Sequence, residues 1–226
     1  MSESRKQRRE RLRREREIQL RRRMLAGGTV LGILLLLLVL LIAGKLSGDR
    51  QQEKVNFMKI LHKQEDLLSE EVVEYRDTVL EYAEQEGILS YTPVLMAIMA
   101  VETKGTGSPD VMQSSVSGGY PSNSLGPEES IEQVCIYFSR LLEIAQERDC
   151  DLSAVIQAYN YGPDYLRYVE ENGGTHSLEL AEQFAGQRAD WKTVTYTNPI
   201  TEDYNDGWRY AYGNMFYELL VRQYLP

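Results

Sequence analysis

An uninterrupted apolar stretch lies near the N-terminus. Residues 24–44 read MLAGGTVLGILLLLLVLLIAG and contain no charged residue in 21 positions. A helix of this length crosses roughly 30 Å of hydrocarbon. A cleaved signal peptide usually has only about 7–15 apolar residues, and the AGKLSG that ends this stretch fits a cleavage site poorly. The pattern therefore predicts a retained transmembrane helix.

From Ser69 onward the apolar positions recur with helical spacing, and no segment alternates apolar and polar residues as a half-buried strand would. A first helix is expected after Ser69 as the N-cap and ends at Gly87. Thr92 and Pro93, an N-cap followed by proline, predict the start of a second helix. Its apolar run PVLMAIMAV leads to Glu102, which indicates a buried central helix too short to cross a membrane.

A long polar segment separates this helix from the next. Residues 104–127 are rich in Gly, Ser and Pro, which predicts a long loop, and loops of this length are usually functional. Ser130 and Gln133 are expected to form a capping box that opens a second core helix. A third helix follows Asp151 and stops at Gly162. Shorter helices are expected over residues 164–171, 177–186 and 213–224. The domain is therefore predicted to be all-α.

These patterns divide the chain into four parts. Residues 45–68 are polar with scattered apolar positions, which suits a helical stalk. The predicted organisation is a basic tail over residues 1–23, an anchor over 24–44, a stalk over 45–68 and a helical domain over 69–226.

Charge adds an orientation to this picture. Residues 1–23 contain eleven Arg or Lys and four Glu, whereas the rest of the chain contains fourteen basic and thirty acidic residues. Basic residues before a membrane span favour a cytoplasmic N-terminus. We therefore expect a single-pass protein of the cell membrane with its C-terminal domain outside the cell. The basic tail would suit nucleic acid, but a topology signal that also contacts anionic lipid explains it better, and no nucleic-acid partner is expected.

Cysteine and histidine indicate neither a disulfide nor a metal site. Cys135 lies in a strongly periodic helix, and fifteen residues of helix would separate it from Cys150 by around 20 Å. Cys135 is expected to be a core residue. His62 and His176 are far apart in the sequence, so no metal-ligand spacing is present. The sequence predicts no metal and no other cofactor.

Glu102 is the residue most suggestive of chemistry. It is an acidic group that ends an apolar helix and opens into a polar, glycine-rich loop. Burial disfavours the carboxylate, so such a Glu can stay protonated near neutral pH and give its proton to a glycosidic oxygen. The alternative is a Glu that simply reaches water at the end of a helix, which is the more common case for Glu in general.

Three segments raise the functional interpretation above that alternative. They read AIMAVETKGTGSPDVMQSS, EESIEQVCIYFSRLL and AVIQAYNYG. Together they resemble the lysozyme-like domain of Gram-positive cell-wall hydrolases, in the goose-type lysozyme and lytic transglycosylase superfamily. The likeness is to the muramidase half of two-domain cell-wall hydrolases of conjugative elements. It covers about residues 69–225 and keeps three motifs in order: a Glu ending an apolar helix, a Met-Gln-Ser turn, and Ala-Tyr-Asn-x-Gly.

The resemblance implies a fold, a substrate and a reaction. It implies a helical lysozyme-like fold that binds peptidoglycan glycan strands. The expected reaction is cleavage of the β-1,4 bond between N-acetylmuramic acid and N-acetylglucosamine, by a muramidase or a lytic transglycosylase. A catalytically inactive peptidoglycan-binding or scaffold module with the same fold is the alternative.

The resemblance also assigns site residues. Glu102 would be the general acid, and Gln113 and Ser114 would line the substrate groove. Tyr159 and Asn160 would contact substrate or position Glu102. For Gln113 a loop hydrogen bond to backbone remains an alternative, and Tyr159 is as compatible with a core position as with a sugar-facing one.

The sequence leaves open whether a second carboxylate takes part in the reaction. Asp110 is the candidate, since hydrolysis with two carboxyl groups needs them roughly 5–10 Å apart. The sequence departs from the family pattern nearby: relatives commonly read Glu-Ser-Gly-Gly and Asp-Pro-Met-Gln, where this chain has ETKG and DVMQ. Without a second carboxylate, the N-acetyl group of the substrate can stabilise the sugar cation. The 6-hydroxyl of the sugar can then replace water and give an anhydro product.

Overall fold

A computed structural model of the chain describes Lys45 and residues 51–226. The predicted basic tail and the predicted anchor, residues 1–23 and 24–44, lie outside the described residues. Within the part described, no helix combines the length and apolar character needed to span a membrane. The chain separates into two units, residues 1–56 and residues 57–226. The elements given below belong to the second unit.

Helices account for most of this unit. Between them lie a short 3-10 turn at Leu89–Tyr91 and a pair of short strands. The first helix, α1, is described from residue 51 to residue 65, and residues 57–65 of it belong to this unit. The other elements, in chain order, are α2 (Glu70–Val73), α3 (Arg76–Gln85), α4 (Thr92–Glu102), α5 (Pro127–Glu147), α6 (Leu152–Tyr161), α7 (Asp164–Glu171), α8 (Leu178–Arg188), β1 (Thr193–Thr195), α9 (Pro199–Asn205), β2 (Trp208–Tyr210) and α10 (Tyr217–Arg222).

Helix α4 lies in the middle of the core. Every residue from Thr92 to Ala100 is buried, and the helix packs against α2, α3 and α10. The predicted buried helix that ends at Glu102 is confirmed. Its start differs by one residue: Tyr91 is the N-cap, and the Thr92 hydroxyl donates to the Leu89 carbonyl rather than capping the helix.

Helix α5 is the long amphipathic helix that the periodicity predicts, and it packs against α3 and α6. Cys135 is buried in its core-facing stripe, as expected. The predicted capping box of Ser130 and Gln133 is wrong. The helix begins four residues earlier, with Gly126 as the N-cap, because Pro127 is favoured at the first helical position. The Ser130 hydroxyl is thereby free to bond elsewhere.

The prediction of an all-α domain misses one feature. Strands β1 and β2 pair antiparallel, with Thr193 opposite Tyr210 and Thr195 opposite Trp208. Each strand has three residues, and all three residues of β1 are exposed, so no apolar alternation marks them in the sequence. Helix α9 between them was also not predicted. The fold is otherwise helical, as expected.

Several predicted boundaries match the structure. Helix α6 follows Asp151, whose carboxylate accepts from the Ala154 N–H at 2.9 Å, and it stops at Gly162 with a φ of 87°. The first predicted helix is divided into α2 and α3. It ends near Gly87, whose φ of 72° belongs to the left-handed region that glycine adopts at helix ends.

The end of helix α1 is part of the packed unit. Leu61 and Gln64 are both buried. The Gln64 amide donates to the Pro93 carbonyl at 2.7 Å and to the Tyr224 carbonyl at 2.8 Å, so it links the start of α4 to the C-terminus. The predicted stalk over residues 45–68 and the boundary at residue 69 stay predictions.

Candidate functional site

Glu102 is the last residue of helix α4 and is half-buried, whereas the residues from Thr92 to Ala100 that precede it are buried. The Tyr217 hydroxyl donates a hydrogen bond to Glu102 Oε1 at 2.5 Å. Burial raises the pKa of Glu102 to about 7, against the lowering effect of the Tyr217 bond, and the negative charge of Asp110 raises it further. Glu102 can therefore exchange a proton near neutral pH.

Tyr217 comes from α10, 115 residues along the chain from Glu102. It is buried, and its ring stacks on that of Tyr159 with centroids 6.0 Å apart and planes at 18°. Burial, together with the charge of Glu102, raises the pKa of Tyr217 well above its ordinary value of 10. The phenol thus stays protonated and remains a hydrogen-bond donor to the carboxyl group.

Tyr159 joins the second and third sequence motifs. Its hydroxyl donates to the Met112 carbonyl at 2.6 Å. Its ring lies between Tyr217 and Tyr137, the latter at 5.8 Å and tilted by 59°. Burial raises the pKa of Tyr159 well above 10, and the charge of Glu102 acts in the same direction. Tyr159 is therefore a partly buried member of an aromatic stack behind Glu102.

Asn160 supports the segment that carries Tyr217. Its Oδ1 accepts a hydrogen bond from the Asn214 N–H at 2.6 Å. From the preceding turn of α6, Gln157 donates to the Asn214 carbonyl at 2.9 Å and accepts from the Glu218 N–H at 3.1 Å. These bonds fix the chain on both sides of Tyr217. Asn160 is half-buried and reaches Glu102 through that chain rather than by direct contact.

Asp110 is buried at the centre of the long loop between α4 and α5. Its Oδ1 accepts from the Ser114 N–H at 2.9 Å and from the Ser130 hydroxyl at 2.6 Å. Its Oδ2 accepts from the Ser115 N–H at 3.1 Å and from the Ser115 hydroxyl at 2.5 Å. Burial acts to raise the pKa of Asp110, but these donors outweigh it and hold the pKa below its usual value.

This network changes the assignment of two predicted site residues. Both oxygens of Asp110 are occupied, and its side chain is 1% exposed, so it organises the loop and leaves no carboxylate oxygen for substrate. Ser114 is equally buried, and its hydroxyl donates to the Ser130 carbonyl at 2.8 Å. The geometry gives Asp110 and Ser114 structural contacts rather than the catalytic and groove-lining contacts expected for them.

An open cleft of about 510 Å³ lies beside Glu102. Gln113 lines it, and its amide donates to the Asp110 carbonyl at 3.0 Å and to Asn123 Oδ1 at 2.8 Å. The loop hydrogen bond to backbone is therefore present, the side chain stays exposed, and the expected contact of Gln113 with substrate stays a prediction. The lining consists of Val101, Glu102, Thr103, Lys104, Thr106, Gly107, Ser108, Gln113 and Asn123.

The comparison with protein families agrees with this geometry. The model of the lysozyme-like family matches residues 69–225, a span that contains Glu102, the loop and Tyr217. The chain belongs to the lysozyme-like family. Among the relatives is YocA of Bacillus subtilis, named an uncharacterized membrane protein. It is 34% identical over 70% of this chain and 69% of its own length.

Two further relatives share only part of their length with this chain. The bifunctional muramidase/DL-endopeptidase CwlT of Bacillus subtilis is 36% identical over 61% of this chain and 41% of its own length. A crystal structure from Staphylococcus aureus, of a protein similar to a lipoprotein of the NLP/P60 family, aligns with a TM-score of 0.69. It has 47% identity over 70% of this chain and 54% of its own. The chain thus spans about half the length of these two proteins.

Sequence reasoning missed three residues of this lysozyme-like site. Tyr217 was placed only within a short C-terminal helix, because its contact with Glu102 is fixed by tertiary packing. Ser130 was taken as a helix cap. Asn123 lies in the loop. The content of Gly, Ser and Pro predicts a loop but does not indicate which side-chain amide lines the cleft.

Proposed function

We propose that the lysozyme-like domain is a glycosidase that cleaves the β-1,4 bond between N-acetylmuramic acid and N-acetylglucosamine in peptidoglycan, with Glu102 as the general acid. The observation that carries this proposal is the state of Glu102: a half-buried carboxyl group that lines an open cleft and whose pKa is raised to about 7. A general acid works best when its pKa lies near the operating pH. The muramidase named among the relatives supports the same reaction.

The proton is carried by Glu102 Oε2, since Oε1 already accepts the Tyr217 hydrogen bond. Transfer of this proton to the glycosidic oxygen accompanies cleavage of the bond between that oxygen and C1 of N-acetylmuramic acid. The leaving sugar departs with a 4-hydroxyl group, and positive charge develops on the muramic acid ring. The Tyr217 hydroxyl then stabilises the carboxylate that remains on Glu102.

The second step uses that carboxylate as a base. Glu102 is the one acidic residue among those lining the cleft, and Asp110 is occupied by its serine donors. We therefore propose that the N-acetyl group of the substrate stabilises the sugar cation. The Glu102 carboxylate then accepts a proton from water, giving a reducing end, or from the sugar's own 6-hydroxyl, giving the anhydro product. A cleft without a second carboxylate favours these substrate-assisted routes over a two-carboxylate mechanism.

We also propose that the domain acts from the outer face of the cell membrane. Residues 24–44 would be the single span and residues 1–23 the cytoplasmic tail, with residues 45–68 as the stalk and 69–226 as the domain. Protease added to intact wall-free cells should degrade the domain while it spares an N-terminal tag. Protection of the domain under those conditions would contradict this orientation.

Mass spectrometry of the products tests the activity. The full-length protein in detergent, and its Glu102→Gln variant, are incubated with isolated peptidoglycan. Wild type should release muropeptides, and the variant should lose activity by about 10²–10⁴-fold because Gln cannot donate the proton. A product lighter by one water would identify the anhydro route. If both proteins are folded and neither releases fragments, the domain is a binding or scaffold module.

A further inference from the structure

Lys104 is the one basic side chain among the residues lining the cleft beside Glu102. It is exposed, and it makes no ion pair with an acidic group within residues 51–226. The salt bridges found there use arginines, such as Arg148 with Glu170, or His62 with Glu65. The Lys104 ammonium is therefore available to a ligand in the cleft.

The backbone of Lys104 is fixed from both sides. Its N–H donates to the Met99 carbonyl at 3.1 Å, and its carbonyl accepts from the Ser69 hydroxyl at 3.3 Å. Behind it, Gly105 lies so close to α2 that a Cβ would be 2.8 Å from the Glu71 carbonyl carbon. This segment cannot rotate without moving α2 or α4, so Lys104 keeps its place in the lining of the cleft.

Lys104 also has an unfavourable backbone conformation. Its φ is 58°, in the left-handed region where glycine is preferred and a lysine is strained. Gln113 and Asn123, with φ of 50° and 57°, line the same cleft. Strained polar residues gathered at one site are typical of ligand-binding positions, since the strain is retained for what the side chains contact.

The electrostatics of the cleft favour an anion. Glu102 and Lys104 are its two ionisable lining residues. When Glu102 holds its proton, as the proposed reaction requires, the net charge of the lining residues is positive because of Lys104. The rest of the chain beyond residue 23 is strongly acidic, with thirty acidic and fourteen basic residues. An anionic ligand would therefore be attracted at this cleft and repelled by much of the remaining surface.

We propose that Lys104 is a specificity-determining residue that binds a carboxylate of the stem peptide carried by N-acetylmuramic acid. This inference rests on the proposed function, because it concerns the substrate of the same cleft. The lactyl carboxyl group of N-acetylmuramic acid is uncharged once it is amide-linked to the stem peptide. The negative charges of the substrate are therefore the carboxylates of that peptide. Phosphate polymers attached to cell walls have the same charge, and the substrate preparation must separate the two sources.

The test compares two substrates made from one preparation of peptidoglycan that has been stripped of phosphate polymers. One is left intact, and in the other the carboxyl groups are converted to amides. Wild type should lose about three- to tenfold in kcat/KM on the amidated substrate. Lys104→Gln and Lys104→Gly should show that reduced value on both substrates. Lys63→Gln, which removes an exposed charge outside the cleft, should behave as wild type.

Two further measurements separate this inference from misfolding and from failure of the proposed function. Lys104→Gly should be at least as stable as wild type in thermal unfolding, because glycine suits a φ of 58°. Affinity for the two substrates is also measured without turnover, in the Glu102→Gln background. A weaker affinity for the amidated strand that depends on Lys104 supports the inference even if wild type cleaves nothing. The inference is wrong if wild type has the same kcat/KM on the two substrates. It is also wrong if Lys104→Gln lowers kcat/KM relative to wild type by the same factor on both.

Discussion

Replacing Glu102 with Gln should stabilise the protein, and the gain should depend on pH in a defined direction. Burial raises the pKa of this carboxyl group from 4.5 to about 7 in the folded state. Below about pH 4.5 the group is neutral in both the folded and unfolded states, so wild type and variant should be equally stable. Between pH 4.5 and 7 the unfolded state releases the proton first. The folded wild type therefore loses stability as the pH rises through this window.

The size of the effect follows from the two pKa values. A shift of one pKa unit corresponds to about 1.4 kcal/mol, so ionising Glu102 above pH 7 costs wild type about 3 kcal/mol. Gln has nearly the same shape and keeps an oxygen that accepts the Tyr217 hydrogen bond, so the variant escapes this cost without losing that contact. At about 2–4 °C per kcal/mol for a domain of this size, the variant should unfold about 6–12 °C higher at pH 8.

The assay is thermal and urea unfolding of both proteins at several pH values between 4 and 8. Titrations elsewhere in the chain are common to both proteins and cancel in the difference. Glu84→Gln, at an exposed position on α3, is the matched control and should show no such pH-dependent gain. A difference that stays constant from pH 4 to 8, or a wild type more stable than the variant at pH 8, would refute the argument that burial governs Glu102.

Four other substitutions, one of them a control, test the contacts around the site. Tyr217→Phe removes a bond that lowers the pKa of Glu102, so the alkaline limb of the kcat/KM profile should move to higher pH while the rate falls. Asp110→Asn replaces one acceptor oxygen with an NH2 group that faces hydrogen-bond donors, and it should cost about 2–4 kcal/mol in urea unfolding at pH 7. Gly105→Ala should cost about 2–3 kcal/mol because its Cβ would meet the backbone of α2, whereas Gly107→Ala, with open space around it, should cost about 1 kcal/mol.

The core helices were predictable because their signals are local. The apolar run of α4 is buried from Pro93 to Ala100, and the stripe of α5, whose apolar residues lie three or four positions apart, is buried as well. Asp151 and Gly162 mark helix ends through their own side-chain and backbone chemistry. Such features depend on residues a few positions apart, and the sequence carries them directly.

The loop network could not be predicted in the same way. Asp110 and Ser130 are twenty residues apart, and nothing in either neighbourhood indicates that one hydroxyl will bond the other's carboxylate. Ser130 had the spacing of a capping residue, but Pro127 begins the helix earlier and leaves the hydroxyl for Asp110. The sequence suggests a helix cap for Ser130 and a second carboxylate for Asp110. In the structure the two side chains bond to each other instead.

Tertiary contacts of this kind also maintain the environment of Glu102. A raised pKa means that the fold holds Glu102 in an environment that disfavours its charge, so other contacts must fix that environment. Two sets of hydrogen bonds do so. The serines around Asp110 fix the loop that follows Glu102, and Asn160 fixes the segment that carries Tyr217. Neither set needs to touch substrate, so in the proposed mechanism Asp110 and Asn160 support Glu102 without taking part in the reaction.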